Sequence, residues 1–136
     1  MLVSFDPPDP EVDIEMTARL NGRTEIGARF LYSLDNPYAV TFLLNPGSDE
    51  REWRFARDLL AEGMNRAAGD GDVRIGPDGD VVRIGLYSPT GAAVLYFGRA
   101  DLEKALEATE VLVPPGEESE FWDWDTEWVR FIGDAA

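Results

Sequence analysis

Apolar and polar side chains alternate without interruption from Val12 to Leu20, where Val12, Ile14, Met16, Ala18 and Leu20 interleave with Asp13, Glu15, Thr17 and Arg19. A period of two is the signature of a strand with one face buried, so this segment is read as a half-buried β-strand. Asn21-Gly22 follows, a pair that accepts positive φ, and a second strand over Thr24 to Tyr32 completes a hairpin. A third strand is predicted from Tyr38 to Leu44, rich in aromatic and branched residues and bounded by Pro37 and Asn45-Pro46-Gly47.

From Trp53 to Met64 the pattern changes. On a helical wheel Trp53, Phe55, Ala56, Leu59, Leu60, Gly63 and Met64 fall on one side, and Arg51, Arg54, Arg57, Asp58, Ala61 and Glu62 on the other. An amphipathic helix is predicted here, capped by Ser48 or Asp49, with Asp49, Glu50 and Glu52 favoured at its N-terminus by the helix dipole. Its apolar side covers about half the circumference, more than the roughly 100° needed to sit on one surface. A sheet plus a second helix or a neighbouring subunit would use that width.

Three further strands are expected over Asp72 to Gly76, Val81 to Tyr87 and Ala92 to Phe97, joined by Pro77-Asp78-Gly79 and Ser88-Pro89-Thr90-Gly91. A helix over Arg99 to Thr109 ends before Val113-Pro114-Pro115-Gly116, and a last helix from Asp123 to Ile132 carries Trp124, Trp128 and Phe131 on one side. The order is βββ, α, βββ, α, α. It predicts an α+β fold of antiparallel sheets with segregated helices, two βββα halves and a C-terminal helix. One domain is expected over residues 1–136, with 1–11 a loosely ordered lead.

Composition narrows the chemistry. The chain has neither Cys nor His, which removes disulfides, thiolate nucleophiles, imidazole triads and the usual zinc ligands. Twenty-seven acids against 12 bases give a net charge of −15, a field that repels phosphate backbones and anionic membranes. No N-terminal signal pattern and no long apolar run is present, so neither secretion nor membrane insertion is expected. Arg51, Arg54 and Arg57 read as a solvated flank paired with Glu52, Asp58 and Glu62 rather than as a phosphate-binding patch.

Three acidic groups invite a catalytic or metal role. Asp70-Gly71-Asp72 with Asp78-Gly79-Asp80 fails the spacing of a calcium loop, because Arg74 and Gly76 stand where ligands and the turn residue belong, and hairpin turns explain it better. Glu117, Glu118, Glu120, Asp123, Asp125 and Glu127 alternate with aromatics as in a sugar cleft, but acids opening a helix are more simply caps, with the aromatics packed on a sheet or neighbour. Asp6, Asp9, Glu11, Asp13 and Glu15 read as a solvated face. No nucleophile elbow, phosphate loop or dinucleotide fingerprint occurs; a hydrolase built on the carboxylates around Asp123 ranks last, since nothing in the spacing asks for it, and no enzyme activity, cofactor or metal is expected. Four Trp, seven Phe and four Tyr exceed what a small core needs. Trp53, Met64, Trp122, Trp124, Trp128 and Phe131 are therefore the candidates for a protein interface.

Six blocks in order carry a family resemblance: NPYAV (36–40), EWRFARDLLAEGM (52–64), GDGDVRI (69–75) followed by Pro77, LYSPTGAAVL (86–95), VPPGEE (113–118) and DWDTE (123–127). Together they resemble the SsgA-like proteins, actinobacterial regulators of sporulation-specific cell division. Asn36 stands where the family has Asp, Ser33 where it has Asp after Tyr32, and Trp128 where Leu is common. The resemblance implies a cytoplasmic, non-enzymatic regulator at division septa, acting as a protein–protein adaptor in septum site selection. The partners it implies are the tubulin-like division protein FtsZ or another SsgA-like paralogue. It also implies a Whirly-like subunit assembled as a bell-shaped homotrimer. Through that fold alone, a single-stranded nucleic-acid-binding protein is the alternative, and the net charge opposes it. The charge argument predicts that the purified protein passes through a single-stranded DNA column at low ionic strength. Retention that is lost on adding salt would contradict it.

Overall fold

The computed structural model describes residues 10–45 and 50–121. Seven strands form one sheet, β1 (Val12–Leu20), β2 (Thr24–Tyr32), β3 (Ala39–Asn45), β4 (Arg51–Ala56), β5 (Val73–Asp78), β6 (Val81–Ser88) and β7 (Gly91–Gly98). Helix α1 (Arg57–Gly63) follows β4, and α2 (Arg99–Leu112) follows β7. The sheet order is β4-β3-β2-β1-β7-β6-β5 and every pairing is antiparallel. The α+β class and the antiparallel pairing agree with the sequence reading. Two meanders are present, but they share one sheet, and the first has four strands.

The turn at Asn21-Gly22 does more than close the hairpin. Both residues have positive φ, 53° and 75°, as a two-residue hairpin turn demands. Asn21 also pairs with Val94 of β7 through its N–H (2.7 Å to the carbonyl) and its side-chain Oδ1, which accepts from the Val94 N–H at 3.0 Å. One turn thus joins the two meanders. The ladder between β1 and β7 is short, matching Ala18, Arg19 and Leu20 with Phe97, Tyr96 and Leu95.

The predicted helix from Trp53 to Met64 is corrected. Its first part is strand β4 and only Arg57 to Gly63 is helical. Trp53 and Phe55 alternate with Glu52, Arg54 and Ala56, which satisfies a strand as well as a helix. The partner decides: Trp53 lies opposite Phe42 and Phe55 opposite Val40, and Phe42 and Phe55 stack at 5.7 Å. Without β4, the buried side chains Val40, Phe42 and Leu44 would stand on an apolar sheet edge. The wide apolar face was therefore a strand joined to a helix. Neither helix has a side-chain N-cap hydrogen bond, and Ser48 and Asp49 lie outside the described residues.

The sheet curls. β3 and β7 are three strand spacings apart, about 14 Å in a flat sheet, yet the rings of Phe42 and Phe97 are 5.1 Å apart. Phe30 meets Phe42 edge-on at 5.4 Å. The inward side chains Leu60, Leu102 and Ala105 of the two helices are fully buried in the same core. Burial of these rings on the concave side, where offset and edge-on contacts are favoured, keeps the curl closed.

Gly63 permits α1 to approach β5, since a Cβ there would overlap Ile75 Cβ and Cγ2. Gly63→Ala is expected to cost about 1–3 kcal/mol in urea unfolding through overpacking. Gly27→Ala, where an added Cβ meets nothing within 4 Å, is the matched control and should stay within about 0.5 kcal/mol of the parent. Equal effects would show that the α1–β5 approach is not tight.

Candidate interaction surface

The concave side is sealed by the helices at one end and opens at the other. At the open end Leu20, Ile26, Leu44 and Trp53 face Leu86 and Leu95 across a recess of about 320 Å³, with Arg51 and Ser88 at its rim and the small residues Gly91, Ala92 and Ala93 preceding Leu95 along β7. Gly91, Ala92 and Ala93 at the start of β7 have little or no side chain, and this leaves the recess open opposite the indole. Trp53 is half-buried on β4, an edge strand of the sheet. Edge strands carry backbone groups that no neighbour satisfies, so an apolar mouth next to one is suited to a protein partner.

Of the other predicted interface residues, Met64 packs into the core at 4% exposure and offers its side chain to the subunit's own interior. Trp122, Trp124, Trp128 and Phe131, with the predicted helix from Asp123 to Ile132, lie outside the described residues. The chain leads toward them through Phe121, which is 40% exposed. Among the described residues no group of three or more Asp and Glu is placed to hold a metal ion. Asp70-Gly71-Asp72 instead supports a turn, where Arg74 donates to the carbonyls of Gly71 and Asp70 and the Asp72 carbonyl accepts from Tyr87.

Arg57 was expected in solvent and is 2% exposed, a correction with a clear physical cause. As the first residue of α1, it follows an inward-facing Phe55 and is turned into the core by the change from strand to helix. Its Nη1 donates to the carbonyls of Thr109 (3.2 Å) and Val113 (2.7 Å), at the C-terminus of α2 where the helix dipole favours a cation. Its Nη2 donates to Glu118 Oε1 at 2.7 Å, and its Cζ stands 5.3 Å from the centre of the Tyr32 ring. Glu118, read from sequence among the capping acids, is thus a buried counter-charge in a short 3₁₀ turn over Glu118–Glu120.

The electrostatics follow from that arrangement. Burial alone raises the Glu118 carboxyl, but hydrogen bonds from Arg57 and from the backbone of Glu118 and Gly116, together with the Arg57 charge, hold it below the usual carboxylate range. Burial, opposed by Arg57 and reinforced by the charges of Glu118 and Glu11, pushes the Tyr32 phenol up to about 12. That phenol donates to the Pro37 carbonyl at 2.8 Å. Nothing in the sequence distinguishes Arg57 from Arg51 or Arg54, because its partners lie 52 to 61 positions away.

Arg57→Ala is expected to lose about 3–5 kcal/mol in urea unfolding at neutral pH, since it strands Glu118 and two helix carbonyls. The folded-state pKa of Glu118 is depressed, so its contribution is present above the unfolded value and is lost as pH falls below about 4.5. Glu118→Gln should therefore flatten the acid side of the stability curve relative to the parent. Parallel curves would remove the ion pair from the acid response.

A sequence profile described as Streptomyces sporulation and cell division protein SsgA matches residues 26–118. Sporulation-specific cell division protein SsgB of Thermobifida fusca is 41% identical over 122 residues, 86% of this chain and 88% of that one. SsgB of Streptomyces coelicolor is 37% identical over 130 residues, 92% of this chain and 95% of the relative. The solved structure connected with SsgB mutations and longitudinal division in sporulating Streptomyces coelicolor superposes with a TM-score of 0.78 at 39% identity, covering 82% of this chain and 94% of its own. The crystal structure of the SsgA-like protein of Thermobifida fusca YX-ER1 gives 0.77 at 39% identity, covering 88% and 94%. No described helix is long and apolar enough to cross a membrane. The six ordered sequence blocks, the seven-stranded curled sheet and this end-to-end similarity agree that the chain belongs to the SsgA family of sporulation and cell division proteins.

Proposed function

We propose that the chain acts in sporulation-specific cell division as a non-enzymatic, cytoplasmic adaptor, placing or assembling the septum by bringing FtsZ, or a complex with another SsgA-like protein, to division sites. The observation that carries this reading is the similarity to SsgB over nearly the whole of both chains. A protein without Cys or His, in which the buried Glu118 carboxylate is committed to Arg57, is better furnished for binding than for acid–base or nucleophilic chemistry.

The working form in this proposal is a bell-shaped homotrimer of Whirly-like subunits. The apolar mouth beside Trp53 supports it, as does a C-terminal sequence rich in Trp122, Trp124, Trp128 and Phe131, residue types that subunit interfaces enrich. Light scattering on the purified protein should return about 45 kDa, three times the 15.1 kDa chain. Trp53→Ala or Trp122→Ala/Trp128→Ala should shift that mass toward the single chain. A fluorescent fusion in sporulating cells should mark septa, and the trimer should sediment with FtsZ polymers. A monomer that neither sediments with FtsZ nor localises to septa would overturn the proposal.

A further inference from the structure

The convex side of the sheet has an unexpected stretch. Outward positions on β1 are polar, Asp13, Glu15, Thr17 and Arg19, as solvent requires. On β2 and β3 the outward positions Leu31, Ala39, Thr41 and Leu43 are half-buried and mostly apolar. Two recesses of about 450 and 410 Å³ lie over them and share Leu43 and Glu50, so they form one groove along the strands. At the far end the floor is Gly27, where an added Cβ would meet nothing within 4 Å.

The groove is apolar along its floor and negative along its walls. Arg54 is taken up by Glu52 at 3.1 Å and by Thr41 at 3.2 Å. Arg29 is bound to Asp13, with Nε 3.1 Å from Oδ1. Glu15 lies opposite Arg29 in the β1–β2 ladder, and the charges of Glu50 and Glu15 also act on that guanidinium. Among the described residues Glu15, Glu50 and Asp35 have no ion pair of their own. The other half of the convex side is different in kind: Arg83 is held by Tyr87 and Tyr96, and Arg74 stands 4.7 Å over the Tyr87 ring.

We propose that the convex groove over β2 and β3 docks a basic amphipathic helix of a partner protein, its apolar side on Leu31 and Leu43 and its lysines or arginines against Glu15 and Glu50. The seven residues of β3 run about 20 Å, matched by a helix of roughly fourteen residues. The floor gives a helix its apolar seat, and the unpaired carboxylates set the sign of the charge it must carry. The surface is distinct from the Trp53 mouth and does not depend on which division protein supplies the helix.

The test uses a labelled synthetic helix of repeating Leu-Lys-Lys-Leu, with its Leu-Glu-Glu-Leu counterpart as a control, in fluorescence anisotropy with the full chain. The lysine helix should bind and the glutamate helix should not. Glu15→Lys/Glu50→Lys, at two exposed positions, should weaken binding at least tenfold, and so should Leu43→Ser with its charges intact. Glu103→Lys/Glu107→Lys on α2 changes the net charge equally and should alter binding less than threefold. An equal loss in the α2 variant would mean attraction to net charge alone, and unchanged binding in the groove variants would place the helix elsewhere; either overturns the proposal. Self-association lost in both Glu15→Lys/Glu50→Lys and Arg74→Glu/Arg83→Glu would give the groove to a second copy and overturn it as well.

Discussion

A buried guanidinium is admissible only when its donors are met, and Arg57 brings four parts of the chain together to meet them. The end of β4, the C-terminus of α2, the ring of Tyr32 and the carboxylate of Glu118 all converge on it. Removing an arginine from water costs several kcal/mol unless carbonyls and a counter-charge replace the lost hydration. The geometry supplies both, and the same contacts set where α2 stops and where the chain turns toward its C-terminal residues. The apolar core supplies cohesion. Arg57 supplies register between elements that the core alone would let slide.

The curl of the sheet converts one layer into two different surfaces. Its concave side is filled by Phe30, Phe42, Phe55 and Phe97 with the two helices, and among the described residues the end beside Trp53 stays open. Its convex side separates into an acidic groove with a leucine floor and a region where Arg74 lies over the Tyr87 ring. A chain of net charge −15 thus carries two local surfaces of opposite character.

Much of the fold was legible residue by residue. β1 and β2 lie where the alternation placed them, and the Asn21-Gly22 turn followed from the tolerance of those residues for positive φ. The segment from Trp53 to Met64 was not, because Trp53 and Phe55 satisfy a period of two while Leu59, Leu60 and Met64 satisfy a helix, and joined end to end they imitate one long amphipathic stretch. Only the unpaired side of β3 separates them. Of the interface candidates drawn from the surplus of aromatics, Trp53 lines an open mouth, and Trp122, Trp124, Trp128 and Phe131 lie outside the described residues. Met64 was drawn into the core by the helix that carries it.

Local patterning in the sequence therefore determined six of the seven described strands and the α+β class; composition removed imidazole and thiol chemistry, and the six ordered blocks carried the family resemblance. The strands rest on residues adjacent or a few positions apart. Tertiary structure decided what depends on residues far apart: that β4 pairs with β3, that the sheet curls until Phe42 meets Phe97, and that Arg57 is the one arginine of its trio to be buried. The physical reason is the same in each case. A side chain's solvation is set by the partners the fold brings to it, and those partners are not its neighbours along the chain.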